Sequence, residues 1–424
     1  MVKDYRALLA NKKFIYLWIS QLLSQFTIQL MNFLLLVNIF RETGSAIATS
    51  LLWIAYALPA IIIGPVAYVL VDLLDKRKLL IYTNLLQAAT ILLYALIAKE
   101  SFFVLYIVVF MYSLLNQFYV PAESSSLPSV VKQENLAWAN GLFSLTQQAS
   151  IVIGFGIAGF LNSSIGFINT LILCGIFMLI AYLSVLFLPK IAPREKVPKK
   201  LDKAIVKLIT RISEGYSFIK THKEVLFPSL LLVGLQIIIT VLIIVMPQIA
   251  HHIVRIDINY SGVFIVVPAG LGAIAGSIMI PRRLANGWRK KRMIDYSILI
   301  ISIVFFTFSF LIPQFNYYLR IILSLISFFF AGIATIGIIV PAQTYIQIVT
   351  PYELRGRVFG NFWFLGIIGT VLPVMLAGLL VQIFGIRFLL AVLSALVMGA
   401  FIWSERNGSN IIKNDFVHTQ PVNR

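Results

Sequence analysis

Twelve long apolar segments dominate this sequence and restrict the folds open to it. Each has the length of about 20 residues at which an α-helix crosses the roughly 30 Å hydrocarbon core of a bilayer. Lipid offers no partner to exposed backbone groups, so a chain that spans it forms helices or a closed barrel. Strand-type alternation is absent, and helices are therefore predicted near residues 14–40, 46–71, 79–98, 102–120, 141–161, 165–189, 226–249, 261–280, 293–313, 318–340, 358–380 and 383–403.

The composition is that of a membrane-embedded chain. Hydrophobic residues make up 60% of the 424 residues and charged residues 12%, against about 25% charged in an average soluble protein. The first segment is long and carries Gln21, Gln25 and Gln29, without a small-residue cleavage site, which predicts a retained helix and no removable signal. The single cysteine, Cys174, lies inside a predicted helix and indicates no disulfide.

The positive charge lies almost entirely on one side of the predicted helices. If the amino terminus is cytoplasmic, 29 of the 34 Lys and Arg residues fall in inner loops and tails. This bias is the positive-inside rule, so the net charge of +18 is a topology signal and predicts no nucleic-acid partner. The outer side keeps only five cations: Arg41, Lys99, Arg255, Arg320 and Arg387.

A hydrophilic break at residues 190–225 divides the segments into two groups of six. We predict an amino-terminal bundle over 1–189, a carboxy-terminal bundle over 226–403 and a cytoplasmic tail over 404–424. Apolar residues recur at helical spacing over 201–219, which indicates an amphipathic helix on the membrane surface or against the bundle.

Short matching motifs indicate that the two halves are repeats. Pro121-Ala122 at the end of the fourth segment recurs as Pro341-Ala342 at the end of the tenth, and Pro59-Ala60 recurs as Pro268-Ala269. Paired repeats of this kind are typical of rocking transporters whose substrate site lies between the halves, near the bilayer midplane.

One stretch between the second and third segments carries a family resemblance. GPVAYVLVDLLDKRKLL (64–80) resembles the signature at this place in the major facilitator superfamily, specifically in its drug-exporting, macrolide-efflux-like branch. That group has similar sequences at four other places, which here read ETGSA (42–46), PAESSSLPSVV after helix four, EGYSFIK (214–220) and PYELRGRVFG (351–360). The resemblance implies a fold of twelve transmembrane helices in two six-helix repeats, with both termini cytoplasmic.

The resemblance also implies a gating role for charges at the inner ends of the helices. Asp72 is expected to face the positive start of helix eleven near Arg357, where a carboxylate is stabilised by the helix dipole. Lys76 falls where the family has a basic residue paired with an acid at the end of helix four, and Glu123 stands at that place. The latch so predicted would hold the outward-open state, and comprises Asp72, Lys76, Glu123 and Arg357, with Asp75 and Arg355 beside them.

A simpler interpretation of the same stretch stays open. Residues 72–78 can serve only as a topology anchor with solvated charges, which accounts well for Arg77 and Lys78. Glycines in helix five, Gly154, Gly156 and Gly159, are interpreted as small residues that allow close helix packing.

Polar side chains inside the segments mark a candidate substrate pathway, because they are costly in lipid. Gln21, Gln25, Gln29 and Asn32 are spaced four, four and three residues apart and share one face of helix one. The alternative role of each is an interhelical hydrogen bond that holds the bundle together. Further candidates for the cavity are Asn116, Gln147, Gln236 and Asn361.

No charged residue falls in the central stretch of any predicted segment, which favours a neutral or amphiphilic substrate over an obligate ion. The resemblance implies a monomeric exporter of the bacterial cytoplasmic membrane, driven by protons, with Glu123 the best candidate acid. A dedicated lipid, siderophore or metabolite carrier is the alternative. An enzyme is not expected, because no P-loop or nucleophile motif appears. No cofactor is expected either, nor a metal site at His251-His252.

Overall fold

A computed structural model of the protein describes residues 8–97, 103–191, 213–214 and 216–411. Nearly all of these residues are helical, as predicted for an all-α membrane protein. Eleven of the described helices are long and apolar enough to cross a membrane, and one shorter apolar helix accompanies them. The predicted segment 201–219 and the tail lie largely or wholly outside the described residues, so the division at 190–225 stays a prediction.

Within the described residues up to 191, seven α-helices of ten residues or more are present. The second span is divided at Ile63, because Pro59 weakens the helix before that point and Gly64-Pro65 begins a new one. The helices are α1 Lys12–Thr43, α2 Ala46–Ile62, α3 Gly64–Leu73, α4 Lys76–Ile97, α5 Phe103–Val130, α6 Leu136–Ile165 and α7 Phe167–Leu186.

In the described part of the second half, from residue 213, six helices are long. α8 continues outward through Met246–Gln248 and a π-helical turn at Ile249–Val254, and α9 is preceded by a second such turn at Gly262–Val266. α10 continues through a π-helical turn at Thr307–Leu311. The long helices are α8 Lys223–Ile244, α9 Val267–Ala285, α10 Lys290–Phe306, α11 Tyr317–Val349, α12 Tyr352–Phe384 and α13 Ile386–Ile411.

Helix packing repeats between the halves. α4 packs against α7 in the first half as α10 packs against α13 in the second, and these are spans three and six of each repeat. Spans two and four also pair in both halves, as α2 with α5 and α9 with α11. The repeat predicted from short motifs is therefore present in the packing, in a fold of two six-helix repeats.

Several helices extend beyond the predicted apolar segments at their inner ends. α5 runs to Val130 through the polar stretch ESSSLPSV, and α6 begins at Leu136. Hydropathy marks the lipid-crossing part of a helix, whereas backbone hydrogen bonds continue the helix into water. The latch candidate Glu123 is for this reason inside a helix rather than in a loop.

The halves share one apolar core around α1. Leu30, Phe33, Leu34 and Val37 in the middle of α1 are completely buried, within a cluster that includes residues of both halves. A smaller cluster at the inner end of the first half contains Phe14, Leu17 and Tyr119, among others. Cys174, in α7, is free and buried.

Candidate functional site

The halves meet at the outer end through a polar contact centred on Asn259. Its Oδ1 accepts hydrogen bonds from Arg41 Nη2 (3.0 Å) and Asn162 Nδ2 (2.8 Å), both in the first half. Asp257 Oδ1 accepts from the Asn259 backbone N–H (2.8 Å) and fixes the short turn that presents the amide. We call Arg41, Asn162 and Asn259 the outer clasp.

Backbone contact between α6 and the start of span eight reinforces the clasp. A Cβ added to Gly159 would lie 1.6 Å from the Asn259 carbonyl oxygen, and one added to Gly262 would lie 2.0 Å from the Phe155 carbonyl oxygen. Only glycine lets the two backbones approach so closely. Gly159 therefore packs as predicted, and its contact is between the halves.

α2 also contacts the second half, at α12 and at the outward extension of α8. Ser45 Oγ donates to Gln382 Oε1 (3.3 Å), and Gln248 Nε2 donates to Thr49 Oγ1 (3.4 Å). Trp53 Nε1 donates to Thr370 Oγ1 (3.2 Å) about 10 Å along α2 from its outer end.

Every cross-half hydrogen bond among the described residues thus lies in the outer part of the molecule. Those bonds are Arg41 to Asn259, Asn162 to Asn259, Ser45 to Gln382, Gln248 to Thr49 and Trp53 to Thr370. The structure is therefore closed on its outer side.

An aromatic pair lies at the inner limit of this closure. Trp53 and Tyr56 stack with ring centroids 5.4 Å apart, both half-buried, and Asn116 on α5 lies beside the Tyr56 hydroxyl. Sequence reasoning did not single out this pair, because aromatic residues are plentiful in all segments. The signal available was their spacing of three residues in a helix that also contains Pro59.

The predicted cavity face of α1 divides between two roles. Gln21 is buried and its Nε2 donates to the Phe143 carbonyl of α6 (3.1 Å), which is the interhelical bond considered as the alternative. Gln29 is half-buried and its Cβ packs against Gly154 of α6. Gln25 and Asn32 are half-buried.

The other cavity candidates lie on four different helices. Asn116 is beside Tyr56, and Gln236 of α8 lies near Gly366 of α12, where its Cγ is 3.8 Å from the position of an added Cβ. Gln147 is exposed on α6. The side chain of Asn361 is outside the described part of the structure.

The candidate latch is only partly within the described structure, since the side chains of Asp72, Arg355 and Arg357 lie outside it. Asp75 Oδ1 accepts from the backbone N–H groups of Arg77 (3.0 Å) and Lys78 (3.3 Å), so it caps the start of α4. Arg77 Nη2 donates to the Leu186 carbonyl at the end of α7 (2.6 Å). The latch itself stays a prediction.

Glu123 and Lys76 are both buried in the first half, at 4% and 1% exposure. Tyr119 donates its hydroxyl proton to Glu123 Oε1 (2.9 Å), and the Ser20 hydroxyl lies 3.1 Å from the same Tyr119 oxygen. Asn84 Nδ2 donates to Ser20 Oγ (2.9 Å). Helices α1, α4 and α5 are thus joined by a chain of side chains that ends on a carboxyl group.

The comparable interior of the second half contains an apolar cavity, although Ser302 of α10 and Ser394 of α13 each donate to the other's carbonyl oxygen nearby (3.0 Å). A small cavity of about 40 Å³ lies there between α8, α10, α11 and α13. It is lined by Leu235, Ile238, Ile239, Leu242, Ile249, Ile301, Val304, Phe305, Phe308, Phe328, Ala331, Thr335 and Leu390.

The sequence matches a model of the Major Facilitator Superfamily over residues 17–372. The uncharacterized MFS-type transporter YfiS of Bacillus subtilis (strain 168) is 23% identical over 370 residues, 85% of this chain and 84% of that protein. Macrolide efflux protein A of Streptococcus pyogenes is 24% identical over 227 residues, 52% of this chain and 54% of that protein. The second likeness therefore spans about half of each protein.

Solved transporters share the fold at low sequence identity. The nucleoside transporter NupG has a TM-score of 0.71 at 12% identity, over 91% of this chain and 98% of that chain. A bacterial homolog of the human lysosomal transporter Spinster, inward-facing and unoccupied, has a TM-score of 0.71 at 13% identity, over 96% and 99%. The POT family transporter PepTSo gives 0.71 at 12%, over 95% and 98%.

Proposed function

The chain belongs to the Major Facilitator Superfamily, and from this we propose that it exports hydrophobic or amphiphilic compounds, macrolide-type antibiotics among them, by alternating access driven by the proton gradient. It is a multi-pass transporter of the cell membrane. The likeness to a macrolide efflux protein supports this substrate class over half of the chain.

The stacked Trp53 and Tyr56 are the observation that carries the substrate class. They lie near the middle of the membrane, where the closed outer contact ends, with the amide of Asn116 beside Tyr56. Aromatic faces and an uncharged amide bind a large apolar molecule and orient its few polar groups. A fixed charge is not needed for such a substrate.

Glu123 supports proton coupling. It is a buried carboxyl group that accepts from Tyr119, in a helix that also packs against α2 and α3. A titratable group inside one half can gain and lose a proton as the halves rock, provided that water reaches it in one state. Protonation would then change which state of the inner latch is favoured.

We propose that contacts at the two ends of the molecule act as gates. The outer clasp holds the state in which the outer side is closed. We propose that the latch of Asp72, Lys76, Glu123 and Arg357, flanked by Asp75 and Arg355, closes the inner side in the opposite state. Each half turns as a unit, because packing within the repeats is more extensive than packing between them.

A lipid translocator is the second candidate function. An apolar groove of about 440 Å³ on the surface of α9 and α11 favours it, because an acyl chain could leave the bilayer there. The groove is lined by Val263, Val267, Pro268, Leu271, Leu325, Ile326, Phe329 and Phe330.

The test is accumulation of macrolides and fluorescent amphiphiles in pump-deficient cells that produce the protein, with and without a protonophore. The variants are Trp53→Ala and Asp72→Ala, with Trp288→Ala as an aromatic control because Trp288 is exposed in an inner loop. We expect the wild type and the Trp288→Ala control to lower accumulation. The protonophore, or either test variant, should abolish this decrease. Unchanged accumulation with well-inserted protein would reject drug export in favour of a lipid or metabolite carrier.

A further inference from the structure

The polar chain that ends on Glu123 has a direction, and its atoms determine which one. Tyr119 has a single hydroxyl proton, which it donates to Glu123 Oε1 (2.9 Å), so its oxygen accepts from the Ser20 hydroxyl 3.1 Å away. Ser20 in turn accepts from Asn84 Nδ2 (2.9 Å). Every donor therefore points from Asn84 towards the carboxyl group, and this direction stabilises an ionised Glu123.

The chain is enclosed by protein on all sides. Ser20, Asn84 and Tyr119 are completely buried, and Glu123 is 4% exposed. A carboxylate in such a place is costly unless donors reach it, and in a chain each hydrogen bond strengthens the next. The donors here are hydroxyls and an amide, which have no net charge. They differ in this respect from a cation, which would favour the ionised carboxyl group alone.

The same side chains also suit a protonated Glu123. A hydroxyl group both donates and accepts, so each hydroxyl proton can turn from one neighbour to the other. The protonated carboxyl group would donate to Tyr119, Tyr119 to Ser20, and Ser20 to Asn84. The added proton comes from water on the side to which the transporter is open. The hydroxyl protons only rotate, and none leaves the chain.

Asn84 has the acceptor that this reversed chain needs. Its Oδ1 is buried and has no hydrogen-bond partner among the described residues. The oxygen and nitrogen of a side-chain amide have nearly the same geometry, so a half turn brings Oδ1 to the place where Nδ2 now meets Ser20. The atom that is unused in one direction thus becomes the end of the chain in the other.

We propose that Tyr119, Ser20 and Asn84 are positioning residues that form a reversible hydrogen-bond relay for Glu123, with one direction for each charge state of its carboxyl group. The inference rests on the proposed function, in which Glu123 gains and loses a proton during transport. Because the relay stabilises both forms, the buried acid can cycle between them. The relay also carries the charge state of α5 to side chains on α1 and α4.

A second serine lies near the relay. Ser24, one turn further along α1, lies beside the hydroxyls of Tyr119 and Tyr112. It forms a branch that leads away from Glu123. The relay is assigned to Ser20, because Ser20 is at hydrogen-bond distance from Tyr119 and is itself held by an amide on another helix.

Charged side chains on the neighbouring helices have other roles. Lys76 of α4 is buried and belongs to the proposed latch, as does Asp72 of α3, whose side chain lies outside the described structure. Arg77 donates to the end of α7. The remaining charged groups at these inner helix ends are Asp75, which caps α4, and the exposed Lys12, Lys13 and Lys78. Substitutions in the relay change none of these charges, so their effects can be separated from those of the latch.

The first experiment is infrared difference spectroscopy between low and high pH, on the full chain in proteoliposomes. The carboxyl band of Glu123 is identified by its absence in Glu123→Gln, and the side-chain carbonyl band of Asn84 by its absence in Asn84→Leu. We expect both bands in the wild-type difference spectrum, because the Asn84 oxygen gains a hydrogen bond when Glu123 takes up a proton. The Asn84 band should vanish in Tyr119→Phe and in Ser20→Ala, which break the chain.

Tyr94→Phe is the matched control for Tyr119→Phe. Tyr94 is a buried tyrosine of the same half, and its hydroxyl has no hydrogen-bond partner among the described residues. Both bands should persist in this variant. Absence of either band in the wild type, or persistence of the Asn84 band in Tyr119→Phe, overturns the proposal.

Transport gives a second readout. Ser20→Ala and Tyr119→Phe should slow uptake of a fluorescent amphiphile driven by a pH gradient about tenfold, as for loss of one charge-assisted hydrogen bond. Substrate exchange at equal pH should be unchanged. Ser184→Ala, which removes a buried hydrogen bond to the Tyr16 carbonyl (2.6 Å) in the same half, is the control for Ser20→Ala.

The two experiments separate the relay from the proposed function. If the wild type shows no gradient-driven transport, proton-coupled export fails, and the infrared bands still decide whether the relay exists. If transport is driven by the gradient but Ser20→Ala and Ser184→Ala reduce it equally, the Ser20 contact is structural and the relay is rejected.

Discussion

The interiors of the two halves differ although their helices pack alike. In the first half, Glu123, Tyr119, Ser20 and Asn84 form a buried chain of polar side chains. In the second, the space between α8, α10, α11 and α13 is an apolar cavity of about 40 Å³. Buried polar groups cost stability, whereas a small apolar void costs only lost contacts. Our proposal that Glu123 carries the coupling chemistry therefore predicts that transport is more sensitive to substitution in the interior of the first half than around this cavity of the second.

Replacing Glu123 should have the largest effect. Glu123→Gln keeps an oxygen to accept from Tyr119 but removes the exchangeable proton, so we expect gradient-driven transport to fall about a hundredfold, as for loss of a proton-transfer group. Proteoliposomes with an imposed pH gradient provide the measurement. Glu42→Gln, at the exposed outer end of α1, should leave the rate unchanged. If the Glu123→Gln protein were fully active, the two halves would differ in the polarity of their interiors without a corresponding difference in function.

Breaking the contact that joins the halves should have the next largest effect. Asn259→Ala leaves Arg41 and Asn162 without their acceptor, at a cost of about 2 to 3 kcal/mol to the outer-closed state. Distances between spin labels at the outer ends of α1 and α8 should then lengthen in a larger part of the population. Asn169→Ala is the control, because Asn169 donates only to Ile165 within its own half. Equal distance distributions for both variants would count against the clasp.

The buried amide of Gln87 tests whether buried polar groups in the first half lower its stability. Gln87 is completely buried, and neither polar atom of its side chain has a hydrogen-bond partner among the described residues. Gln87→Leu should raise the free energy of unfolding by about 1 to 2 kcal/mol, because the desolvated amide is removed. Thermal unfolding in detergent measures the change.

Gln21→Leu is the paired variant for Gln87→Leu. Gln21 donates to the Phe143 carbonyl, so its loss should lower stability by about 0.6 kcal/mol. If Gln87→Leu destabilised the protein instead, Gln87 would have to be hydrogen bonded to internal water, and the first half would be more polar than its side chains alone indicate.

Filling the cavity of the second half should have the smallest effect of the changes that stabilise the protein. Ala331 lines the cavity, and at about 24 cal/mol per Å³ its filling by Ala331→Val should stabilise the fold by about 1 kcal/mol without changing transport. Ala334→Val on the same helix, at a completely packed position, should destabilise by about 1 to 3 kcal/mol. A large transport defect in Ala331→Val would show that the second half needs its void to function.

Much of the fold could be predicted because lipid imposes simple rules on a sequence. Apolar length predicts the helices, and the loop charges predict their orientation. The division of the second span was missed because α2 and α3 form one continuous apolar run, and only Pro59 and Gly64-Pro65 mark the break.

The site could be predicted less well, because the same residue types serve packing and function. Gln21 and Gln29 were predicted on one face, and their contacts with α6 depend on how the helices are rotated. Asn259 and Arg41 received no role, since a pair 218 positions apart has no local signal. The latch around Asp72 remains a prediction.

The sequence by itself determined the helical architecture, the membrane orientation and the family, because these follow from local apolar length, charge distribution and short motifs. Only the tertiary structure decided that the outer side is closed, that Glu123 lies in a buried polar chain, and that Arg41 and Asn162 meet Asn259 across the halves. The physical reason is that each of these features depends on side chains from helices far apart in sequence, whose rotation and separation are set by packing.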